Sequence, residues 1–332
     1  MLSEQELTQF GVELKDEFSH PFSQAHDDWN ESYFFDWYTE DGSAAGHCRI
    51  GWHPVQQRIL FWLHLWNGEE WLIIEENRLP FSALKLDGQD VFCYEQWGLK
   101  FSYDCMAPLQ SGRLQIDGFA RVAYGPRQGM VLPVSVELDV SALGSAYSRG
   151  AGSVEGHSAQ GFSTNRYEQP IQAFGRMTID QHGTELVVRG ERDHSWGPRP
   201  WDMNWQFFVV NNEKFSLQAT QVEIPEWPLI QMGYFHELGQ GMEHLSETKF
   251  ELEFMSEQPF AAVRGSFSLV CDSGRLIAGK IESVAGGEID ITHAFTPPKR
   301  TEYRRTLIRC HFDSGEESMG WLEYNRPNPV SK

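Results

Sequence analysis

Short runs that alternate apolar and polar residues, or are apolar on both faces, recur from Glu31 towards the C-terminus, with turn residues and no helix-length pattern between them. That spacing constrains the fold most. Parallel strands need a crossover of a dozen or more residues, usually a helix, whereas antiparallel strands can be joined by a tight turn. Ser32–Tyr38, the turn Glu40-Asp41-Gly42-Ser43 and Gly46–Trp52 read as a hairpin. Arg58–Trp66 is apolar on both faces, Ile59, Phe61, Leu63 and Leu65 sharing one and Leu60, Trp62, His64 and Trp66 the other. Further strands are expected at Glu70–Glu75, Val91–Tyr94, Leu99–Tyr103, Leu114–Tyr124 and Val131–Leu138. A second set runs from Ile171 through Glu191 and on to Arg326. The fold class expected is all-β, as antiparallel barrels or sandwiches with few short helices. Ser3-Glu4-Gln5-Glu6 reads as a capped helix start, so Ser3 to about Phe18 is expected to be a short helix serving as a lid or packing piece.

A chain of 332 residues exceeds one usual core, which predicts two domains of about 150 residues each. The boundaries read as an N-terminal helical or irregular segment at 1–28, a first barrel-like domain at 29–145, a Gly/Ser/Ala-rich linker or flap at 146–165, and a second barrel-like domain at 166–332. With 27 Lys+Arg against 47 Asp+Glu, the net charge of −20 opposes nucleic acid and anionic membrane surfaces as partners. No run reaches the ~20 apolar residues of a spanning helix and no signal-peptide pattern opens the chain, so no stable membrane insertion is expected. The five cysteines, Cys48, Cys93, Cys105, Cys271 and Cys310, are scattered without C-x-x-C spacing. They suggest neither a disulfide framework nor a cysteine zinc site and fit a reducing cytoplasm. Oligomeric state is not legible.

The densest chemistry lies at Gly190-Glu191-Arg192-Asp193-His194-Ser195-Trp196-Gly197-Pro198-Arg199-Pro200-Trp201, where a strand pattern ends in prolines. Adjacent strand residues point to opposite faces, so Asp193-His194-Ser195 cannot relay a proton as a triad. His236-Glu237-Leu238-Gly239-Gln240 lacks the second histidine of a zincin, and no glycine pattern completes a dinucleotide or phosphate loop. Neither a metal nor an organic cofactor is expected. On a regular strand Arg189, Glu191 and Asp193 share one face, and Arg192, His194 and Trp196 the other. Asp193 is then either a desolvated acid among tryptophans, fit for general-acid work, or the partner of Arg192 or Arg199 in a structural clasp. His194 is the other proton-transfer candidate. Trp196 and Trp201 would supply an aromatic wall, and Glu168, beside Tyr167, either brings a second acid or is a solvated strand entrance. His64, between Trp62 and Trp66, is either a satisfied core histidine or the titratable group of a ring-lined ligand site.

Trp29–Tyr38, Gly46-His47-Cys48-Arg49-Ile50-Gly51, Tyr167-Glu168-Gln169, Arg192–Arg199 and Glu323-Tyr324-Asn325-Arg326 together resemble a bacterial family of paired, largely uncharacterised domains. That family is similar to the hydroxyneurosporene synthase (carotenoid hydratase) superfamily, whose members fold as two lipocalin-like barrels. The resemblance spans roughly residues 29 to 326, and Arg192-Asp193-His194-Ser195-Trp196-Gly197 is its most specific piece. It implies two lipocalin-like barrels packed together and a cofactor-free site that protonates, hydrates or cyclises an isoprenoid or other apolar alkene.

The leading expectation is therefore a hydratase, isomerase or cyclase acting on a terpenoid-, carotenoid- or steroid-like compound. Asp193 would be its proton donor, with His194 and Glu168 as catalytic partners. Trp62, His64, Trp66, Trp196, Arg199, Trp201 and Tyr167 would bind the small apolar substrate. A lipocalin-like carrier that leaves its ligand unchanged, and a structural or interaction domain with a filled interior, are the alternatives.

Overall fold

A computed structural model describes residues 2–22, 24, 26–86, 90–148, 165–198, 201, 203–224, 226–255, 262–292 and 301–326. The described residues are almost entirely strand, all paired antiparallel, as the turn spacing predicts. In chain order the first set is β1 Trp29–Tyr38, β2 Ala45–His53, β3 Arg58–Trp66, β4 Trp71–Pro80, β5 Asp90–Gln96, β6 Leu99–Ala107, β7 Ser111–Tyr124, β8 Val131–Ala142, β9 Asn165–Ile179 and β10 His182–Pro198. The second is β11 Asn204–Asn211, β12 Phe215–Glu223, β13 Ile230–Glu237, β14 Gly241–Met255, β15 Ala262–Cys271, β16 Leu276–Glu288, β17 Glu302–Phe312 and β18 Glu317–Arg326.

The first set forms one ten-stranded sheet in the order β4-β3-β2-β1-β10-β9-β8-β7-β6-β5, with a further β4–β7 pairing that brings it round on itself. The second set is a closed barrel from β11 to β18. Backbone contacts divide the chain into two compact units, Pro200–Lys332 belonging to the second and most of the residues before it to the first.

This corrects the expected domain boundary. β9 and β10 lie within 166–332, yet they hydrogen-bond to β8 and β1 and complete the first sheet. The physical reason is pairing: Arg192 to Pro198 sit in register with Trp29 to Phe35, so the chain returns to the first sheet after the glycine-rich stretch. Most of that stretch, expected as a linker or flap, lies outside the described residues.

The N-terminal helix is shorter than expected. Ser3 caps it in a capping box with Glu6, but it covers only Glu4–Leu7, and a 3₁₀ turn follows at Leu14–Glu17. Gly11, at φ +80°, takes a left-handed conformation that no helix continues through. Leu7 and Val12 pack with Leu109, Ala146 and Tyr167, which makes the segment a packing piece.

Burial differs sharply between strands of the same sheet. β7 and β8 largely alternate buried and solvent-facing residues, whereas β1, β2 and most of β3 are buried on both faces. The inner face is the aromatic and aliphatic core, with Tyr33, Phe35, Phe61, Phe92, Phe101 and Tyr103 among its members. Gly190 marks how closely β1 and β10 approach: a Cβ there would stand 1.9 Å from the Asp36 carbonyl oxygen. Beside it the Glu191 backbone N–H donates to Asp36 Oδ1 at 2.7 Å.

Near the β4–β7 closure, buried Glu70 accepts from the Arg127 side chain at 2.6 and 3.1 Å and from its backbone N–H at 3.0 Å. The Arg127 side-chain hydrogen bonds hold the Glu70 carboxyl below its ordinary range, against burial, which would raise it. A folded-state pKa below the unfolded one gives stability that is fully present above about pH 4.3, the unfolded carboxylate value, and is lost as pH falls through the folded value. The stability gap between the wild type and Glu70→Gln, measured by urea denaturation, should therefore shrink from pH 7 to pH 3. A gap unchanged with pH would contradict this pairing.

Candidate functional site

Strand parity separates the expected residues onto two faces. Asp193 pairs with Phe34 and Glu168, Phe34 with Arg49, Arg49 with Trp62, and Trp62 with Glu75, giving one row across five neighbouring strand pairs. The next row on this face runs Asp36, His47, His64, Ile73, and the one beyond it Tyr38, Ala45, Trp66, Trp71. All of these side chains point away from the inner core, because alternate residues of the same strands form it. Yet Asp36, His47, Arg49, His64, Glu191 and Asp193 are buried. A solvated outer face would leave such groups in water, so this one is shielded from solvent.

Its best-ordered part is a chain of three groups. The Trp71 indole N–H, which can only donate, gives its hydrogen bond to His64 Nδ1 at 3.2 Å. Nδ1 therefore carries no proton, and His64 is the Nε2–H tautomer donating to Glu75 Oε1 at 3.1 Å. His47 packs its ring 4.6 Å from that of His64, and Arg49 lies over the Trp62 ring at 5.0 Å. Arg49 also donates to Asn30 Oδ1 at 3.0 Å, and Trp62 to Asn77 Oδ1 at 2.9 Å. The arrangement offers an oriented imidazole-carboxylate pair walled by tryptophans.

Asp193 is not an isolated acid. Its Oδ2 accepts from Arg166 Nη2 at 3.0 Å, and Arg166 Nε donates to Glu168 Oε1 at 2.5 Å, so one guanidinium holds both expected acids. The observed partner is Arg166; of the two arginines expected in the clasp, parity turns Arg192 to the other face, and Arg199 lies outside the described residues.

On the inner face Arg192 forms a closed network with the N-terminal segment. It donates to both Glu17 oxygens at 2.8 and 2.9 Å, to Gln169 Oε1 at 2.6 and 2.8 Å and to Tyr103 Oη at 2.9 Å, and Glu17 also accepts from the Leu109 N–H at 2.6 Å. Burial works against the Arg192 charge, but Glu17 beside it holds the guanidinium firmly protonated. The Tyr33 and Tyr167 phenols are pushed far up by burial and stay neutral. Every strong donor of Arg192 is used within the fold, which makes it a structural centre.

Two residues further along, His194 is fully buried, stacked on Tyr33 at 3.9 Å and edge-on to Tyr167 at 5.7 Å. Its Nδ1 faces the Asp16 carbonyl at 2.7 Å and its Nε2 faces Glu31 Oε1 at 3.1 Å. His20 Nδ1 meets the same Glu31 oxygen at 2.9 Å, and the His20 ring stacks on Trp196 at 3.8 Å. Burial alone would raise the Glu31 carboxyl, but the hydrogen bonds and charge of His194 and His20 hold it below its ordinary value. Donor atoms of His20, Glu31 and His194 all lie within 4.8 Å of one another, the one group among the described residues with metal-ligand geometry.

The structure thus places Asp193, Glu168, Trp62, His64 and Trp66 on one face of the first sheet and Tyr167, His194 and Trp196 on the other. Trp201 belongs to the second unit, 6.2 Å from Trp205. Sequence reasoning missed Glu17, His20 and Asp16, which carry no local pattern. It assigns no role to Glu75, Asp36 or Arg166, although Glu75 closes an expected strand and Arg166 lies two residues before Glu168.

DUF7064, a domain of unknown function, matches residues 13–328. No curated protein matches the chain. Among solved structures, an AttH-like protein of Nitrosomonas europaea aligns with a TM-score of 0.64 at 12% identity, covering 95% of this chain and 96% of its own. CghA, in its complex with Sch210972, aligns at 0.56 and 12% identity over 91% and 89%. Kievitone hydratase of Nectria haematococca aligns at 0.53 and 10% identity over 93% of each chain. The likeness shows that this chain shares their fold.

Proposed function

The chain belongs to the DUF7064 family, a domain of unknown function, and from that premise we propose that it is an enzyme of the hydratase, isomerase or cyclase type acting on a lipophilic alkene. The site is the outward face of β1, β2, β3, β4 and β10. One observation carries the reading: the Trp71–His64–Glu75 chain, whose tautomer is dictated by an indole N–H, set among tryptophans on a buried face. Glu75, the part-exposed end of that chain, is the proton carrier. His64 is a positioning residue that donates to Glu75 Oε1.

Protonation of one alkene carbon by the Glu75 carboxylic acid leaves a cation at the other carbon, which the faces of Trp62, Trp66 and Trp71 stabilise. Capture by water then gives a hydrate, loss of a neighbouring proton an isomer, and attack by a second double bond a ring whose new cation in turn loses a proton or adds water. Each outcome returns a proton to Glu75 or to water. Asp193 and Glu168, bound by Arg166, form the polar border that orients the substrate. CghA and kievitone hydratase share the fold, and the name of the second is that of a hydratase.

The test is turnover of farnesol, squalene and lycopene in D2O, read by mass spectrometry as deuterium incorporation and addition of water. Glu75→Gln should lower the rate by at least about 10²-fold, the contribution of a general acid, with circular dichroism unchanged. His64→Asn should lower it less and shift its pH profile. Full turnover by Glu75→Gln would overturn the assignment.

A separate observation favours the carrier reading. One end of the closed barrel holds a cavity of about 330 Å³ floored by Phe215, Phe235, Phe312 and Ile277, with Lys214 and Arg275 at its rim. Ligand recovered intact by mass spectrometry, with no deuterium gained, would favour it.

A further inference from the structure

We propose that His20, Glu31 and His194 bind a first-row divalent transition metal, zinc foremost. Each ring nitrogen of the two histidines faces an oxygen acceptor: His194 Nδ1 the Asp16 carbonyl at 2.7 Å, His194 Nε2 and His20 Nδ1 the same Glu31 oxygen at 3.1 and 2.9 Å, and His20 Nε2 the Asp16 carboxylate at 3.5 Å. A neutral imidazole has one N–H and one lone pair, so a ring that donates to Asp16 through one nitrogen turns the lone pair of the other towards Glu31. The two rings lie with centroids 5.4 Å apart, and the ligand atoms of His20, Glu31 and His194 converge within 4.8 Å.

A metal ion fits where these ligand atoms converge. The Asp16 carbonyl holds the proton of His194 on Nδ1 and frees Nε2 as a ligand atom. The Asp16 carboxylate does the same for His20, freeing Nδ1. This is the outer-shell arrangement that fixes the tautomer of a metal-bound histidine. Glu31 is aimed by the backbone N–H of His20, which donates to its two oxygens at 2.9 and 3.1 Å. Stacking on Trp196 and Tyr33 fixes both rings. Two imidazoles and one carboxylate suit zinc or a neighbouring first-row ion and fall short of the all-oxygen shell that calcium and magnesium require. With Asp16 counted, the charges of the ion and two carboxylates cancel, and one coordination position stays open for water.

The ligands come from the N-terminal segment, β1 and β10, so the ion would also fasten that segment to the sheet. The site stands independently of the reaction proposed above, and its test needs no substrate. The full-length protein is stripped with chelator, dialysed, and titrated separately with Zn²⁺ and Co²⁺. One ion per chain should bind, Co²⁺ should give the visible absorption of a low-coordinate site, and Zn²⁺ should raise the melting temperature. His20→Ala, chosen because His20 is the most exposed of the three ligands at 17%, should weaken binding by more than the roughly 10–100-fold that losing an outer-shell partner costs, and should abolish the thermal shift. Glu31→Gln should do the same. No stoichiometric binding by the wild type, or equal affinity in His20→Ala, would overturn the proposal.

Discussion

Replacing Glu17 with Ala is expected to destabilise the protein by about 3–5 kcal/mol, the cost of leaving a buried charge without its partner. The side chains of Glu17 and Arg192 are 1% and 4% exposed, so water cannot take over when the carboxylate is removed. Two of the hydrogen bonds of Arg192 end on Glu17, and the Leu109 N–H loses its acceptor as well. The remaining partners, Gln169 and Tyr103, are neutral and cannot balance the guanidinium. The double variant Glu17→Leu with Arg192→Met should recover much of the loss, because it removes both charges and fills the space with apolar atoms. Urea denaturation of the three proteins measures this. A loss below about 1 kcal/mol for Glu17→Ala, the level of a surface ion pair, would show that the network is not the clamp its geometry describes.

Phe267→Ala in the closed barrel should cost a similar amount, about 3–5 kcal/mol, from a different source. Phe267 is 2% exposed and packs against the rings of Phe208 at 4.9 Å and Phe312 at 5.4 Å. Gly279 on β16 leaves room for it, since a Cβ there would stand 3.0 Å from the end of the Phe267 ring. Truncation would open a void that rigid strands of a closed barrel cannot collapse to fill, so the cavity term adds to the lost burial. Phe267→Leu, closer in volume, should lose less than half as much. The same denaturation measurement decides it, and equal losses for Ala and Leu would contradict the packing argument.

How much of the site could be read from the sequence depends on how far apart its members lie. Parity along one strand sufficed to separate Asp193 from His194, and the two residues do point to opposite faces. The row joining Glu168, Asp193, Phe34, Arg49, Trp62 and Glu75 could not be read, because it depends on the register of several strand pairs, and a slip of one residue turns every side chain over. Asp193 illustrates the difference. Its partner Arg166 lies 27 residues away on the adjoining strand, while Arg192, next to it in sequence, is on the other face.

The glycine-rich stretch misled the reading of domain organisation, since a change in composition marks a long connection without saying which sheet the chain rejoins. His20, Glu31 and His194 were equally hidden. His20 and Glu31 have no metal-binding spacing, and their convergence with His194 spans 163 residues between Glu31 and His194.

By itself the sequence determined the all-β antiparallel class, the alternation that separates the faces of each strand, and the net charge of −20. These follow from local chemistry: side-chain period, turn residues and summed charge. Only the tertiary structure decided that β9 and β10 complete the first sheet, that Arg166 neutralises Asp193, and that the N-terminal segment supplies Glu17, Asp16 and His20. Those outcomes rest on long-range register and burial. Whether a buried acid acts as a proton donor, an ion-pair partner or a metal ligand depends on what lies within about 3 Å of it, and at these positions the neighbours are brought by other strands.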